Sequence, residues 1–363
     1  MWIIFFFLLP ILGSAYIGWH VWQILPLSVL WKWVIVCLLI ACLICFFANF
    51  ILGLDHYPMP VSKFLYALGN STLFIALYLA MVFIVLDLGR LVRLVPKSFL
   101  HDSLPGTVSI LIFMMGIFTY GYFNYKHKVR VPLTLKSGKR LTAPKRIVML
   151  SDLHLGYHNT AEDFHEWVDK VNAERPDLVL IAGDIIDGSM RAINSQDMAD
   201  EFRRLKAPIY ACLGNHEYYG GKGDALKFYT EAGIKLLVDE SVDVPLGGDT
   251  ITVIGRDDRT NARRKPIKEL MNTTSRKHYT IVLDHQPYNL ERAAQAGVDF
   301  QLSGHTHYGQ VWPISWIEDA IYENAFGPLR KGNTEYYVTS GIGIWGAKFR
   351  IGTRSEYVVA ELK

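Results

Sequence analysis

Apolar residues in the first third of the chain form nearly unbroken runs, whereas in the remainder they come in short bursts. Four early stretches, about Trp2 to Ile24, Leu30 to Leu54, Phe64 to Leu88 and Gly106 to Tyr125, are long enough to predict helices crossing a hydrocarbon core. Such a crossing takes about 20 helical residues. From about Lys145 the pattern changes to apolar runs of four or five residues separated by helix-like segments. This is the pattern of parallel strands joined by crossover helices, and it predicts an α/β domain. "RIVML" leads into "SDLHLG", "LVLI" into "AGDIID", "IYACL" into "GNHEYYGG", "TIVL" into "DHQP", and "DFQL" into "SGHTHYGQ". Each run ends on Asp, Asn or His, or reaches one within three residues.

Charge divides the chain in the same place. Up to Pro105 only Lys32, Lys63, Arg90, Arg93, Lys97, Asp55, Asp87 and Asp102 are charged, which leaves 32 basic and 31 acidic residues for the rest. That rest reads as an ordinary globular domain of roughly 230 residues, large enough to bury a core. We expect a membrane region over 1–125, a linker and leading strand over 126–145, and the α/β domain over 146–363. The first stretch has no basic leader and is followed by further spans, which argues against a cleaved signal peptide. Trp19, Trp22, Trp31 and Trp33 cluster between the first two spans, where indole rings sit at a membrane interface. The basic groups Arg90, Arg93, Lys97 and Lys126, Lys128, Arg130 flank the last span on opposite sides, so charge does not choose the side of the domain. Cys37, Cys42 and Cys45 fall inside the second span and Cys212 in a buried strand, which reads as packing and not as a disulfide or thiolate framework.

Open α/β sheets bind ligands beyond the carboxyl ends of their strands. Five runs ending in polar residues would therefore gather Asp152, His154, Asp184, Asn215, His216, His285, His305 and His307 along one edge. Oxygen and imidazole donors without thiolate suit Mn, Fe or Zn. The set is too large for one ion of ordinary coordination, so two adjacent ions sharing a bridging carboxylate fit better.

The ordered motifs D-x-H (Asp152, His154), G-D (Gly183, Asp184), G-N-H-E (Gly214 to Glu217), His285 and G-H-x-H (Gly304 to His307) resemble the calcineurin-like metallophosphoesterase superfamily. "LSGHTHYGQVWP" and "YYVTSGIGIWGAKFRIGTRSE" look like its bacterial membrane-associated branch, which includes proteins with several N-terminal spans. The resemblance implies a two-sheet β-sandwich flanked by helices, placed behind a helical anchor in a bacterial cytoplasmic membrane. It further implies a first metal on Asp152, His154 and His307, a bridge at Asp184, and a second metal on Asn215, His285 and His305. His216 would approach the substrate phosphate, and Glu217 would orient it. Glycines 183, 214 and 304 would let backbone turn or approach the ions closely. Two positions depart from the pattern. Asp284 stands where a small residue is common, and would add negative charge beside the second metal. Tyr308 stands where glycine is frequent, and would narrow access or stack on substrate. Either residue would equally well pack or face solvent.

The implied reaction is hydrolysis of a phosphomonoester, phosphodiester or pyrophosphate. Several spans exceed what a simple tether requires, which points to membrane lipids as partners and to a lipid-linked or otherwise amphiphilic substrate. The alternative is a non-catalytic membrane receptor or scaffold that uses the fold for binding. A net charge of +3 and the lack of a recognition module argue against nucleic acid. Nothing in the sequence assigns an oligomeric state. In the loop "GRDDRTNARRKPIK", Gly255 to Lys268, the charge run reads as a solvated face, or alternatively as a contact for anionic headgroups. His158 and His165 read as surface residues, Asp187 as a brace for the Asp184 loop, and Asp87 and Arg90 as a span-end pair.

Overall fold

The computed structural model describes residues 2–139 and 141–363, with backbone only for residues 2–10 and 222. The chain forms two compact units, Met1–Tyr122 with Gly346–Lys348, and Phe123–Trp345 with Phe349–Lys363. The first contains four helices, α1 (Trp2–Ile24), α2 (Val29–Leu52), α3 (Met59–Leu91) and the body of α4 (Leu104–Lys126). Helices α2, α3 and α4 are long and apolar enough to cross a membrane. The first expected span corresponds to α1, part of whose side chains lie outside the described residues. Gly53 ends α2 with φ 71°, a left-handed backbone that costs glycine little, and Pro60 sits in the first turn of α3, where a missing N–H costs nothing. The pair expected between Asp87 and Arg90 lies at 3.6 Å, but Asp87 also accepts from Tyr16 and pairs with His20, both at 2.9 Å.

The second unit carries two six-stranded sheets. One has the order β1 (Lys128–Leu135), β12 (Ser355–Leu362), β2 (Lys145–Leu150), β3 (Leu178–Ala182), β4 (Ile209–Cys212) and β5 (Ile234–Leu236). The other runs β10 (Gly327–Lys331), β11 (Thr334–Val338), β9 (Phe300–Ser303), β8 (Tyr279–Leu283), β7 (Asp249–Gly255) and β6 (Glu240–Leu246). Strands β2, β3, β4 and β5 are mutually parallel, as are β7, β8 and β9.

Strands covered on both faces need apolar residues at every position, which is why the runs show no alternation. In β2, Ile147 and Met149 pack between the sheets with Leu180, Ile281, Leu283 and Leu302. Val148 and Leu150 face the other way, onto helix α5 (Ala161–Ala173). That helix opens with a Thr160–Asp163 capping box and buries Phe164, Trp167, Val168 and Val171 at helical spacing. At about 25 cal/mol per Å² of apolar area, each such side chain contributes roughly 1.5–3 kcal/mol. The sandwich thus supplies a rigid edge on which the carboxyl ends of β2, β3, β4, β8 and β9 lie together.

Candidate metal centre

Asp152 and His154 follow β2, Asp184 follows β3, Asn215 and His216 follow β4, His285 follows β8, and His305 and His307 follow β9. Ligand atoms of Asp152, His154 and His307 lie within 4.8 Å of one another, as do those of His154, Asp184 and His216, and of Asp184, His285 and His305. Asp184 therefore stands between two groups. The Nε2 atoms of His154 and His307 face each other at 3.0 Å, and Asp152 Oδ1 lies 3.5 Å from His307 Nε2. On the other side, His285 Nε2 is 3.1 Å from Asp184 Oδ2. Asn215 Oδ1 and His285 Nε2 are buried and make no hydrogen bond. Buried polar atoms ordinarily find partners, so unpartnered O and N atoms at this edge fit cation ligation.

The backbone at this edge is unusual. Asp152, His154, Asp184, His305 and His307 all have φ between 45° and 73°. Left-handed backbone costs an L-residue roughly 1–2 kcal/mol, so each must be held by its surroundings. Two glycines make room. A Cβ on Gly214 would lie 2.0 Å from Asp184 Oδ1, and one on Gly304 would lie 2.2 Å from Asp152 Oδ2.

Electrostatics keep the carboxylates ionised. Burial by itself would raise Asp184, but the cationic forms of His285 and His216 hold it well below the usual carboxylate range. Burial, reinforced by the charge of His285, lowers His305 to about 4, leaving the neutral imidazole that metal binding requires. Burial opposes the charge on His154, yet the carboxylates of Asp152 and Asp187 outweigh it and raise the group to about 10. Asp187 Oδ1 is 3.2 Å from His154 Nδ1, so this residue meets the His154 imidazole directly.

Three expectations change. The Glu217 carboxylate does not orient the His216 ring, because it accepts backbone N–H groups of Gly214 (2.7 Å), Ile185 (2.8 Å), Ile186 (3.1 Å) and Asp184 (3.2 Å). It ties the β3 and β4 loops together, while His216 Nδ1 lies 2.6 Å from the carbonyl of Asp187. Asp284 does not bring uncompensated charge, since Arg256 reaches it at 2.6 Å and Arg264 at 2.8 Å, all three largely buried. The basic loop is accordingly no uniform solvated face. Arg256 and Arg264 turn inward, Arg259 lies over the Tyr288 ring at 3.8 Å, and Arg263 and Lys268 remain exposed. Tyr308 packs, stacking on Phe326 at 4.9 Å with its hydroxyl 3.2 Å from Asp319. Of the two outlying histidines, His165 is exposed near Glu201 and His158 is half-buried.

Sequence reasoning missed Arg350 and Asn159. The fully buried Arg350 donates to the carbonyl of His307 at 2.6 Å and of Gly343 at 3.0 Å. Asn159, also fully buried, donates to the carbonyls of Leu153 (2.9 Å) and His154 (3.0 Å). Arg350 lies inside a stretch that looked family-like as a whole, but it acts on a carbonyl 43 residues away; Asn159 lies only five residues after His154, and no motif marks it.

Paired O/N clusters at the carboxyl ends of a two-sheet sandwich define a metal-dependent phosphoesterase. Residues 145–309 match the family described as calcineurin-like phosphoesterase. An uncharacterized metallophosphoesterase of Campylobacter jejuni is 34% identical over 229 residues, covering 60% of this chain and 59% of that one. One from Aquifex aeolicus is 32% identical over 229 residues, covering 60% of this chain and 85% of its own. A transmembrane protein with metallophosphoesterase domain from Danio rerio is 30% identical over 313 residues, covering 80% of this chain and 71% of its own. The chain belongs to the calcineurin-like metallophosphoesterase family, and among its described residues three helices are long and apolar enough to cross a membrane.

Proposed function

We propose that the protein hydrolyses a phosphomonoester, phosphodiester or pyrophosphate bond of a lipid-linked or otherwise amphiphilic substrate, as a multi-pass protein of a bacterial cytoplasmic membrane. The observation that carries the hydrolytic reading is the gathering of seven buried or half-buried Asp and His side chains into three overlapping groups, in each of which the ligand atoms lie within 4.8 Å of one another. Asp152, His154 and His307 would hold the first divalent ion and Asn215, His285 and His305 the second, with Asp184 available to both; Mn, Fe and Zn all suit these donors. Bound there, two divalent ions supply the positive charge that acidifies a water molecule and neutralises phosphoryl oxygens during in-line displacement.

The remaining work falls to the protein. With His216 Nδ1–H committed to the Asp187 carbonyl, Nε2 is the atom left to meet a phosphate oxygen, and in the imidazolium form it donates a proton to the leaving oxygen. Glu217 keeps the β3 and β4 loops in register so that His216 and Asp184 stay paired, the His216 N–H lying 3.0 Å from Asp184 Oδ1.

An apolar rim supports the amphiphilic substrate. Trp312 and Trp316 are 40% and 65% exposed, with ring centroids 5.3 Å apart, and Ile317 and Ile321 extend the same surface along the helix Ile314–Ile321. This surface begins five residues after His307. Exposed indoles beside aliphatic side chains are the composition of lipid-contacting helices. Tyr219, 70% exposed and with its ring 5.3 Å from that of His216, is a further exposed aromatic beside the site.

The test is hydrolysis of para-nitrophenyl phosphate and its bis-ester by detergent-purified protein with manganese, with Asp184→Asn and His216→Ala as controls. Activity on either ester, lost in both variants, is expected. Equal inertness of wild type and variants on these esters and on phosphatidic acid in mixed micelles would reject hydrolysis and favour a scaffold. For the lipid reading, Trp312→Ala/Trp316→Ala is expected to lose about tenfold on a micellar lipid phosphate, roughly 1.4 kcal/mol, and to spare the soluble ester. Equal loss on both substrates would reject it.

A further inference from the structure

The two units divide within α4, between Tyr122 and Phe123, so the last turn of that helix is built into the catalytic unit. Two adjacent residues of this turn start separate chains of hydrogen bonds. The hydroxyl of Tyr125, a fully buried residue, donates to Asn159 Oδ1 at 2.7 Å, and Asn159 Nδ2 reaches the His154 carbonyl at 3.0 Å and the Ile344 carbonyl at 3.0 Å. Asn124 Nδ2 donates to the carbonyls of Arg350 (2.9 Å) and Thr353 (2.8 Å), and the Arg350 guanidinium donates to the His307 carbonyl at 2.6 Å.

Both chains thus end on residues whose Nε2 atoms face each other across 3.0 Å. His154 and His307 are also two of the left-handed positions, with φ 45° and 48°. A carbonyl gripped by a buried donor fixes the peptide plane, and with it the direction of the side chain that must meet the ion. The other side of the centre is braced elsewhere. His285 Nδ1 lies 2.7 Å from the Ala182 carbonyl, and the backbone N–H of His305 points at Asp152.

We propose that Asn124 and Tyr125 are positioning residues of the metal centre, which act through Arg350 and Asn159 on the backbones of His307 and His154 and thereby set the affinity for the first of the two ions. The inference rests on the dinuclear reading above. It makes the end of an apolar, membrane-length helix a structural part of the site, so that metal occupancy depends on how that helix ends.

Tyr125→Phe removes one oxygen atom and leaves Asn159 Oδ1 without this donor, while Asn124→Ala removes both bonds to the Arg350 loop. Full-length protein in detergent, stripped of metal and titrated with manganese, is read by electron paramagnetic resonance, which separates an exchange-coupled pair from a single ion. Each variant is expected to need about 10- to 100-fold more manganese than wild type to form the pair, the range typical of residues that orient ligands, while binding its one remaining ion with unchanged affinity. Lys126→Ala, which removes a same-turn contact to Asp163 at 3.0 Å, is expected to titrate like wild type. The proposal is overturned if Tyr125→Phe and Asn124→Ala form the pair at wild-type manganese, or if all three variants weaken both ions alike, which would show general loosening. A wild type that never forms a pair would overturn the dinuclear reading, and this proposal with it. Should Asn124→Ala fail to accumulate, Tyr125→Phe decides alone.

Discussion

His305 and His307 are one residue apart in the chain, yet they serve different halves of the proposed centre, and those halves are held by different means. The half containing Asp152, His154 and His307 is braced by side chains that grip its backbone and a ring: Arg350, 43 residues from His307, and Asn159, five residues after His154, donate to its carbonyls, and Asp187 faces the His154 ring. The half containing Asn215, His285 and His305 sits on strand ends, and beside it Asp284 is locked between Arg256 and Arg264. One half therefore depends on side-chain hydrogen bonds to its neutral carbonyls, while the other has a buried charge cluster beside it. Similar sets of one oxygen donor and two imidazoles can thus be preorganised through backbone geometry or through packing and charge.

The sharpest way to test the division is to delete one ligand from each half. Asp152→Ala and Asn215→Ala are each expected to lower kcat/KM by about a thousandfold or more, several kcal/mol of transition-state stabilisation, while each retains one metal per chain. Elemental analysis checks this, and two metals per chain in either variant would break the assignment of that residue. Next in size is Asp284→Ala. It leaves two largely buried guanidinium groups unpaired, and is expected to destabilise the catalytic unit by about 3–5 kcal/mol and to lower its Tm by about 10 °C. An unchanged thermal melt would show that the cluster contributes nothing.

Asp187→Ala should act on the first half alone, weakening the first ion by about 10- to 100-fold with little change in Tm, because it frees the His154 ring without emptying the core. A manganese titration separates the two effects, and equal weakening of both ions would contradict a brace specific to His154. The smallest effect belongs to Arg263→Ala. Its side chain is exposed, and the change is expected to stay within about 0.5 kcal/mol by denaturant unfolding. A larger loss would mean that the exposed part of the basic loop is structural after all.

The strand runs, the polar residues that end them and the apolar helices were legible in the sequence because each is a local pattern. A strand covered on both faces must be apolar throughout, and a polar residue at its carboxyl end has few roles other than facing a site. The order of the motifs then sufficed to name the seven candidate ligands. What could not be read locally was what each charge or hydrogen-bonding group meets. Asp284 looked like extra negative charge until Arg256 and Arg264, 28 and 20 residues away, were seen to neutralise it. Glu217 looked like a partner for its neighbour His216 until its carboxylate was found on four backbone N–H groups. Asn124 and Tyr125 looked like the end of a span, but Asn124 bonds to a loop 226 residues on. The sequence by itself determined which residues can ligate and which strands carry them, because donor chemistry and hydrophobic pattern are local properties. Tertiary structure alone decided how those ligands are held and which charges cancel, because a hydrogen bond or an ion pair belongs to two segments that only the folded chain brings together.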